Sequence, residues 1–522
     1  MHTARAAEPM LIDTRELPPG TVIEADLVIV GGGIAGIAIA REFEQSGLDV
    51  CILEGGGEEP EKAVQDLYSG KAQMRGPIGE ARDIDDYLTS SRFRYFGGSG
   101  NAWGGKCVPL DSADFEARDW VPDSGWPMTR EQLQPYYDRA CDLFEIGRFP
   151  ADMSANWKPE RPAADLGNAD LQSLPRRFTR CTGATTDGTY SAFKASVAES
   201  KTVRVYLNAN VCDIRLRNDG GAVESLEVAT LDGRRFAARA SRYILATGGI
   251  ENARLLLASN SVAPKGIGNG NDLVGRYFQG HVTLGLYDGA AGRNTSFFLS
   301  RLNQSFGLYV DGDRQDVQAV FGPTQAAQQR HRLRNCTLTP FRIWYTPQRS
   351  SQTIMDLAGL LENGRSGTVT ERGGHFQYSF MLEQSPNTRS RITLTDERDP
   401  LGVPRVRLDW DFSDQDFEEL DRAVDFFRRE LGRTGQGRVE WPLLHDEIIA
   451  TMRASRHHNG ATRMHVNASR GVVNPDCRVH GVSNLYVAGS SIFPTGGIAN
   501  PTLTLVALGM RLADYLKQEL RS

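Results

Sequence analysis

The hydrophobic pattern near the N-terminus predicts a strand, a helix and a second strand in close succession. Leu27–Val30 is a short apolar run rich in β-branched residues, long enough for one buried strand. A helix is predicted from Ile34 to about Ser46, with Gly47 as its stop signal, and Val50–Leu53 predicts the second strand. This order is that of the first βαβ unit of a parallel sheet.

Three glycines join the first strand to the helix with the spacing G-x-G-x-x-G. Gly31 permits a tight turn, Gly33 lets the backbone approach a pyrophosphate, and Gly36 lets the helix pack closely on the strand. Glu54 ends the second strand 18 residues after Gly36, where an acid can bind ribose hydroxyls. The segment predicts a dinucleotide site, and the alternative is a glycine-rich turn in an α/β protein.

A second glycine-dense segment runs from Gly97 to Gly105. Five glycines among nine residues suit a backbone that lies against a large flat ligand, because side chains would block the approach. The alternative is an exposed surface loop, which Phe96 and Trp103 oppose because aromatic rings are costly to leave in water.

Farther along the chain, apolar runs and alternating segments predict more strands. Between residues 203 and 246 they are short and apolar, and between about 275 and 446 the alternation predicts an antiparallel sheet. The predicted strands are Val203–Leu207, Val211–Arg217, Val223–Leu231, Tyr243–Ala246, His281–Tyr287, His375–Leu382, Arg391–Leu394, Arg405–Trp410 and Leu485–Ala488.

Capping and helical periodicity predict three longer helices. Thr129 with Gln132 is a capping-box signature for a helix that runs to about Phe144. Ser413–Leu431 carries apolar residues on one face, and Pro501 stands in the first turn of a final helix. Residues 57–91 are predicted as loops with one short helix, residues 150–200 as irregular, and residues 1–20 as a polar leader.

Composition narrows the class of protein. A net charge of −6 and a pI near 5.9 argue against a nucleic-acid partner, and no stretch approaches the roughly 20 apolar residues of a membrane span. The N-terminus lacks the apolar core of a secretory signal. Seven cysteines without paired spacing predict reduced thiols, no metal site and a cytoplasmic location.

Four segments in order resemble the glucose–methanol–choline (GMC) oxidoreductases, a family of flavoproteins. They are the first βαβ unit with Glu54, the Gly97–Gly105 loop, Ala246–Arg254, and the end of the chain from His457 to Asn500. The resemblance implies FAD. It also implies a fold that is α/β plus α+β, with a Rossmann-like FAD-binding domain built on a parallel sheet. The substrate domain then has a mostly antiparallel sheet flanked by helices.

The same resemblance divides the chain and places the cofactor. The FAD-binding domain is expected in residues 21–110, 200–274 and 450–522, and the substrate domain in residues 111–199 and 275–449. Some sugar oxidases of the family bind FAD covalently through a histidine where this chain has Ala102, so noncovalent FAD is expected. The residues expected to bind FAD are Gly31, Gly33, Gly36, Glu54, Gly98, Asn101, Ala102, Trp103, Val211, Ala246, Gly489, Asn500 and Thr502.

The catalytic residues expected from the resemblance are His457 and Asn500. His457 heads the family pattern H-x-x-G-T-x-x-M, from which Ala461 departs, and Asn500 precedes Pro-x-x-T. An imidazole can take the hydroxyl proton near neutral pH, and a carboxamide can hold the developing alkoxide by hydrogen bonding. Before the resemblance, a buried structural imidazole and a turn asparagine are the alternatives. His281 is expected to be structural.

The substrate expected from the resemblance is a secondary alcohol of a sugar or glycoside. The loop from Asn101 to Cys107 resembles the branch that contains pyranose oxidases and glycoside 3-oxidases. Gln384 and His458 are candidate substrate contacts, against the alternatives of a solvent-facing residue and a structural neighbour. Oxygen or another acceptor reoxidises the flavin, and the oligomeric state stays open. Rival functions are oxidation of a non-sugar alcohol, a non-redox FAD-containing lyase and an NAD(P)H-linked flavoprotein. The lack of a second G-x-G-x-x-G argues against the NAD(P)H-linked flavoprotein.

Overall fold

The structure is a computed structural model, and it describes most of the chain. The described residues are 10–77, 81–149, 170–179, 181, 189–284, 296–299, 308–310, 316–341, 374–433, 437–440, 449 and 452–521. The predicted leader lies outside them up to residue 9, as do residues 285–287 of one predicted strand.

Three sheets are built from the strands of the described residues. In chain order the first eleven are β1 Leu11–Asp13, β2 Val22–Val30, β3 Val50–Leu53, β4 Gly70–Arg75, β5 Arg82–Asp83, β6 Lys106–Cys107, β7 Leu171–Phe178, β8 Val203–Leu207, β9 Asn210–Leu216, β10 Val223–Ala229 and β11 Arg235–Leu245. The others are β12 His281–Leu284, β13 Ser296–Leu299, β14 Leu308–Val310, β15 Asp316–Pro323, β16 Cys336–Phe341, β17 Gly374–Glu383, β18 Arg391–Arg398, β19 Pro404–Asp411, β20 Gly437–Glu440, β21 Arg453–Ala454 and β22 Leu485–Val487.

The helices pack on the faces of these sheets. They are α1 Ile34–Arg41, α2 Lys62–Gln65, α3 Tyr87–Ser90, α4 Ser112–Phe115, α5 Arg130–Leu143, α6 Thr189–Ala198, α7 Gly249–Ala258, α8 Gln325–His331, α9 Asp414–Arg433 and α10 Pro501–Glu519. Short 3₁₀ turns occupy Thr14–Glu16, Asp66–Tyr68, Gly98–Asn101 and Ser490–Ile492.

The first sheet is the parallel one that the N-terminal pattern predicts. Its order is β1-β8-β3-β2-β11-β10-β9, and β22 also pairs with β11. Strands β1, β8, β3, β2, β11 and β22 run parallel, whereas β10 and β9 continue the sheet in antiparallel fashion. The segment of β2 from Leu27 to Val30 and the whole of β3 are at most 2% exposed, because helices cover both faces of a parallel sheet.

The second sheet is mostly antiparallel and has the order β20-β13-β17-β16-β15-β7-β6, with β12 pairing with β17 and β21. A third sheet, β18-β19-β4-β5, includes the parallel pair β19–β4. The α/β plus α+β fold class expected from the sequence is confirmed. The two strands predicted at Arg391–Leu394 and Arg405–Trp410 exist, but they belong to this separate third sheet.

The predicted helices and strands agree with the structure in some segments and differ in others. Helix α5 has the predicted capping box, in which Thr129 and Gln132 bond each other's backbone N–H groups. Helix α1 is shorter than predicted and ends at Arg41. The prediction of irregular structure for residues 150–200 was wrong for β7 and α6, and β4 lies where only loops and one helix were predicted.

Candidate active site

A cavity of about 550 Å³ opens where the parallel strands of the first sheet end. Val30, Leu53 and Ala246 line it from the carboxyl ends of β2, β3 and β11, and Gly489 lines it two residues after β22. Ligands of open α/β sheets bind at this edge, because the loops that follow the strands meet there. The cavity is therefore the candidate active site.

The first glycine turn forms one wall of the cavity. Gly31 has a φ of +106°, and a Cβ on it would lie 2.7 Å from the carbonyl oxygen of Ala246. Helix α1 begins immediately after Gly33, and no side chain caps its N–H groups. A Cβ on Gly33 would meet nothing within 4 Å, so there is open space at this helix N-terminus for an anionic group such as a pyrophosphate.

Gly36 serves packing and does not line the cavity. A Cβ on it would clash with the carbonyl oxygen of Gly31, because the helix crosses its own preceding turn there. Contact of Gly36 with the cofactor stays a prediction. Its role is the close helix–strand approach that its place in the motif predicts.

Glu54 lines the cavity, and the backbone fixes its carboxylate. Its Oε2 accepts a hydrogen bond from the N–H of Gly32 at 2.8 Å, and its Oε1 accepts one from Gly56 at 2.9 Å. Burial raises the pKa of this carboxyl, which the two backbone N–H groups oppose. Each oxygen keeps one lone pair for a further donor, so the carboxylate suits a pair of ribose hydroxyls.

The second glycine-dense segment lies directly on the first. The N–H of Gly97 donates to the carbonyl oxygen of Gly32 at 2.8 Å, and a Cβ on Gly98 would lie 3.1 Å from the Cα of Gly33. Gly98, Ala102 and Trp103 line the cavity as expected. The two segments form one continuous wall, which is the arrangement that a dinucleotide with a flat ring system requires.

Asn101 does not line the cavity and acts within the loop. Its Nδ2 donates to the carbonyl oxygens of Phe96 and Gly98, both at 3.0 Å. These two hydrogen bonds stabilise the loop that carries Gly98 and Ala102, and a cofactor contact of Asn101 stays a prediction. The remaining residues expected at the cofactor, Val211, Ala246, Gly489, Asn500 and Thr502, all line the cavity.

His457 and Asn500 meet in the same cavity. The Nε2 atom of His457 lies 3.3 Å from Nδ2 of Asn500, although 43 residues separate them. Asn500 occupies the N-cap position of α10 but makes no side-chain capping hydrogen bond, and Pro501 follows it in the first turn. The Oδ1 atom of Asn500 is buried without a hydrogen-bond partner among the described residues. A buried orphaned acceptor in a cavity indicates a place for a ligand donor.

A chain of hydrogen bonds fixes the tautomer of His457. The Nδ1 atoms of His457 and His281 are 2.6 Å apart, and Nε2 of His281 lies 3.0 Å from the carbonyl oxygen of Gly497. A carbonyl only accepts, so His281 carries its proton on Nε2 and its neutral Nδ1 must accept. His457 then donates from Nδ1, and its Nε2 presents a lone pair to the cavity. The atom of Asn500 facing that lone pair is therefore the donor Nδ2.

A buried ion pair holds the end of this chain. The N–H of Gly497 donates to Oε1 of Glu383 at 3.0 Å, and Glu383 pairs with Arg118 at 3.1 Å. Burial opposes ionisation of Glu383, but Arg118 and Asn335 outweigh it and keep the pKa of this carboxyl below its usual value. The N–H and the carbonyl oxygen of Gly497 are thus both held by hydrogen bonds, and this fixes the orientation of His281.

Both imidazoles are neutral near pH 7. Burial lowers the pKa of His281 to about 4, and burial together with the positive potential of neighbouring groups lowers the pKa of His457 well below 6.5. No sequence pattern indicated this pair of imidazoles, and His281 was expected to be structural only. The one local signal was its place in a predicted alternating strand.

His458 lines the cavity, but its ring is packed among aromatic residues. The hydroxyl of Tyr87 donates to the carbonyl oxygen of Ser455 and accepts from Nε2 of His458 at 2.9 Å. Phe278 lies against the same imidazole, and burial lowers the pKa of His458 to about 3. Nδ1 is the remaining ring nitrogen for any contact with a substrate.

Gln384 lies outside the cavity, and its contact with the substrate stays a prediction. The side chain is 1% exposed, and its Oε1 accepts hydrogen bonds from Trp410 Nε1 at 2.8 Å and from the N–H of Gly280 at 3.2 Å. Its Nε2 donates to the carbonyl oxygen of Asp411 at 3.0 Å. These bonds use both lone pairs of the oxygen, so Gln384 stabilises the protein interior.

Metal and membrane features are not found in the described part of the chain. No group of three or more His, Cys, Asp or Glu residues there could hold a metal ion, and none of its helices is long and apolar enough to cross a membrane. All seven cysteines are free thiols, which agrees with the absence of a disulfide framework expected from their spacing.

Known proteins include several that are similar to this chain. A family model described as GMC oxidoreductase matches residues 386–509. The 2-methyl-1,2-propanediol dehydrogenase of Mycolicibacterium austroafricanum is 24% identical over 95% of both chains. A C-glycoside 3-oxidase of Arthrobacter globiformis is 38% identical over 125 residues, which are 24% of this chain and 23% of that one.

A similar fold is found among solved structures. The crystal structure of pyridoxine 4-oxidase from Mesorbium loti matches with a TM-score of 0.57 and 19% identity, and the match covers 94% of this chain and 98% of the other. At this identity the likeness establishes the fold.

Proposed function

Since this chain belongs to the GMC oxidoreductases and is an FAD-dependent enzyme acting on CH–OH groups, we propose that it oxidises a secondary alcohol of a sugar or glycoside to the ketone. His457 is the base, and Asn500 orients the reacting oxygen. The observation that carries the proposal is the lone pair of His457 Nε2, held by the His281 chain and facing Asn500 Nδ2 at 3.3 Å.

The residues at the cavity suit FAD bound without a covalent link. The open helix N-terminus at Gly33 suits the pyrophosphate, and the fixed carboxylate of Glu54 suits the ribose. Ala102 offers no nucleophile where some relatives attach the cofactor. The division into domains 21–110, 200–274 and 450–522 against 111–199 and 275–449, and the cytoplasmic location, remain predictions.

The protein moves one proton in the proposed reaction. The hydroxyl of the substrate replaces the hydrogen bond between Asn500 Nδ2 and His457 Nε2: it donates to Nε2 and accepts from Nδ2, and its proton then passes to the imidazole lone pair. Asn500 donates a hydrogen bond to the developing alkoxide, which stabilises it without adding a charge. FAD, when bound, supplies the two-electron acceptor for the hydride that leaves the carbinol carbon.

The low pKa of His457 has two consequences for this step. The imidazole is deprotonated across the neutral range, so the base is always available. It is also a weak base, so the proton moves only when alkoxide and imidazolium are stabilised together. His281 Nδ1 accepts from His457 Nδ1–H and therefore stabilises the imidazolium.

The sugar or glycoside assignment rests on relatives and on the loop from Asn101 to Cys107. The C-glycoside 3-oxidase matches a quarter of the chain at the higher identity of 38%, whereas the propanediol dehydrogenase matches nearly all of it at 24%. Oxygen or another acceptor completes the cycle. The alternative substrates are non-sugar alcohols such as polyols.

Replacing His457 by Ala tests the base. We expect the variant to retain FAD and to lose turnover by a factor of about 10² or more, because a positioned general base contributes that much. The measurement is anaerobic reduction of the bound flavin by hexoses, their O- and C-glycosides and polyols in rapid mixing. His480→Ala is the matched control, since its imidazole bonds the carbonyl oxygen of His465 and does not line the cavity.

Two outcomes would overturn the proposal. Near-normal flavin reduction in the His457→Ala variant would remove this residue from the mechanism. A wild-type flavin that no alcohol reduces, accompanied by release of an aldehyde from a hydroxynitrile, would identify a non-redox lyase instead.

A further inference from the structure

Two cationic side chains share one face of the second sheet beside the cavity. Lys106 stands opposite Phe178 in the register of β6 and β7, and Arg176 precedes Phe178 by two residues, so all three project from the same face. Lys106 lines the cavity, and Arg176 is 5% exposed. Arg176 lines a smaller cavity of about 60 Å³, which is also lined by Ala499, the residue before Asn500.

Neither cation has a carboxylate partner among the residues that the structure describes. Arg176 donates one long hydrogen bond to Oγ1 of Thr337 at 3.4 Å, and Nζ of Lys106 lies 5.7 Å from the ring centre of Phe178. Burial lowers the pKa of Arg176 to about 10 and, together with the charge of Arg176, that of Lys106 to about 8. These directions are those of cations without a counter-charge.

Three other buried arginines are paired with carboxylates, whereas buried Arg130 and Arg463 donate to the carbonyl oxygens of Leu110 and Asp123. Arg92 lies 3.0 Å from Glu251, Arg254 lies 2.7 Å from Asp399, and Arg334 lies 2.7 Å from Asp416. An unpaired buried charge is expensive, so a pair of them beside an active site implies a partner that the folded chain itself does not supply.

We propose that Lys106 and Arg176 bind an anionic group of the substrate, so the enzyme acts on a sugar or glycoside that carries a carboxylate or a phosphate. The guanidinium fork of Arg176 suits the two oxygens of such a group, and Lys106 adds a compact charge from the neighbouring strand. The substrate would then be held at one end by these two cations and at the other by His457 and Asn500. This inference rests on the proposed function.

The test compares matched neutral and anionic substrates on the FAD-loaded enzyme. The probes are methyl β-D-glucopyranoside, methyl β-D-glucopyranosiduronate and the 6-phosphate of methyl β-D-glucopyranoside. We expect kcat/KM to be at least 10-fold higher for one anionic probe than for the neutral one. The identity of the better anion distinguishes carboxylate from phosphate recognition.

Substitutions of Lys106 and Arg176 test whether these two residues cause the preference for anionic probes. Lys106→Met and Arg176→Met should each lower the ratio of anionic to neutral kcat/KM by about 10-fold or more, mainly through KM for the anion. Arg177→Met is the matched control, because Arg177 projects from the opposite face and donates to the carbonyl oxygen of Arg148. Replacing the buried Arg176 also perturbs the packing of the protein interior. Lys106→Met is therefore a second, independent test.

Three results would overturn the inference. A wild-type ratio near one excludes anion recognition, and an unchanged ratio in both variants excludes these two residues. Equal loss for all three probes would assign the cations to the cofactor. If no sugar reduces the flavin, the proposed function fails, and calorimetric titration of glucuronate into the wild type and Arg176→Met decides the anion site separately. Binding that the variant loses supports the site, and no binding to the wild type refutes it.

Discussion

Replacing His281 changes which nitrogen of His457 carries the proton. In the wild type, Nδ1 of His281 accepts from Nδ1–H of His457, which leaves the lone pair on Nε2. His281→Phe keeps an aromatic ring at this position but removes the acceptor. Nδ1–H of His457 then has no partner in a buried site, and the proton can move to Nε2, where the orphaned Oδ1 of Asn500 can accept it after rotation of the amide.

The size of the effect follows from that exchange. Leaving a buried N–H without an acceptor costs about 1–3 kcal/mol, and the wrong tautomer avoids this cost. Since 1.4 kcal/mol is a factor of ten in population, the competent tautomer falls by about 5- to 150-fold, and kcat falls with it. KM should change less, because His281 reaches the substrate only through His457.

Two further substitutions separate tautomer control from simple packing. An asparagine at position 281 places Oδ1 near the site of the imidazole Nδ1, so it can accept from His457. A glutamine extends to the site of Nε2 and can bond only the carbonyl oxygen of Gly497. His281→Asn should therefore recover most of the activity that His281→Phe loses, whereas His281→Gln should not.

The assay is the rate of flavin reduction at saturating substrate from pH 5.5 to 9, with FAD content and thermal stability measured for every variant. His480→Phe controls for loss of an imidazole elsewhere. Reduction within about threefold of the wild type in His281→Phe, or equal rates in the Asn and Gln variants, would refute tautomer control.

Two other predictions concern the cofactor and pH. Glu54→Ala should raise the Kd for FAD by about tenfold or more, because a charge-assisted hydrogen bond contributes about 1.5–3 kcal/mol. Quenching of flavin fluorescence measures this Kd. An unchanged affinity would exclude the ribose contact. His281, His457 and His458 have pKa values depressed by burial, so the unfolded chain binds more protons below about pH 6.5 and stability falls as pH drops. The carboxyl of Asp114, whose pKa burial raises to about 7, has the opposite pH dependence and offsets the contribution of one of the three histidines. A net loss of about 2 kcal/mol between pH 6.5 and 5.5 is expected in urea unfolding, and equal stability at both values would contradict it.

The sequence identified those elements whose own residues show a clear pattern. β3 was predicted at its observed bounds because four consecutive apolar residues are bounded by polar ones. β7 was missed because it contains Pro175 and two arginines, which disfavour a strand when read alone. Its pairing with β15, whose residues lie more than 130 positions later, overrides that preference.

The candidate site was predictable only in part, for a related reason. His457 and Asn500 belong to patterns that a sequence displays, whereas the contact of His281 with His457 joins positions 176 residues apart. Gln384 was a candidate substrate contact with a solvent-facing residue as the alternative, but its side chain is buried and bonds Trp410 and Gly280. Burial and pairing over such distances are properties of the fold, which residue type alone does not report.

The position of His281 on β12 limits how this protein can be re-engineered. β12 is a strand of the second sheet, whereas His457 and Asn500 come from the C-terminal segment. Exchanging β12 for that of a relative to alter substrate choice would also exchange the group that sets the protonation pattern of the base. A chimera at this strand should therefore carry position 281 over unchanged, and libraries that randomise the sheet should leave it out.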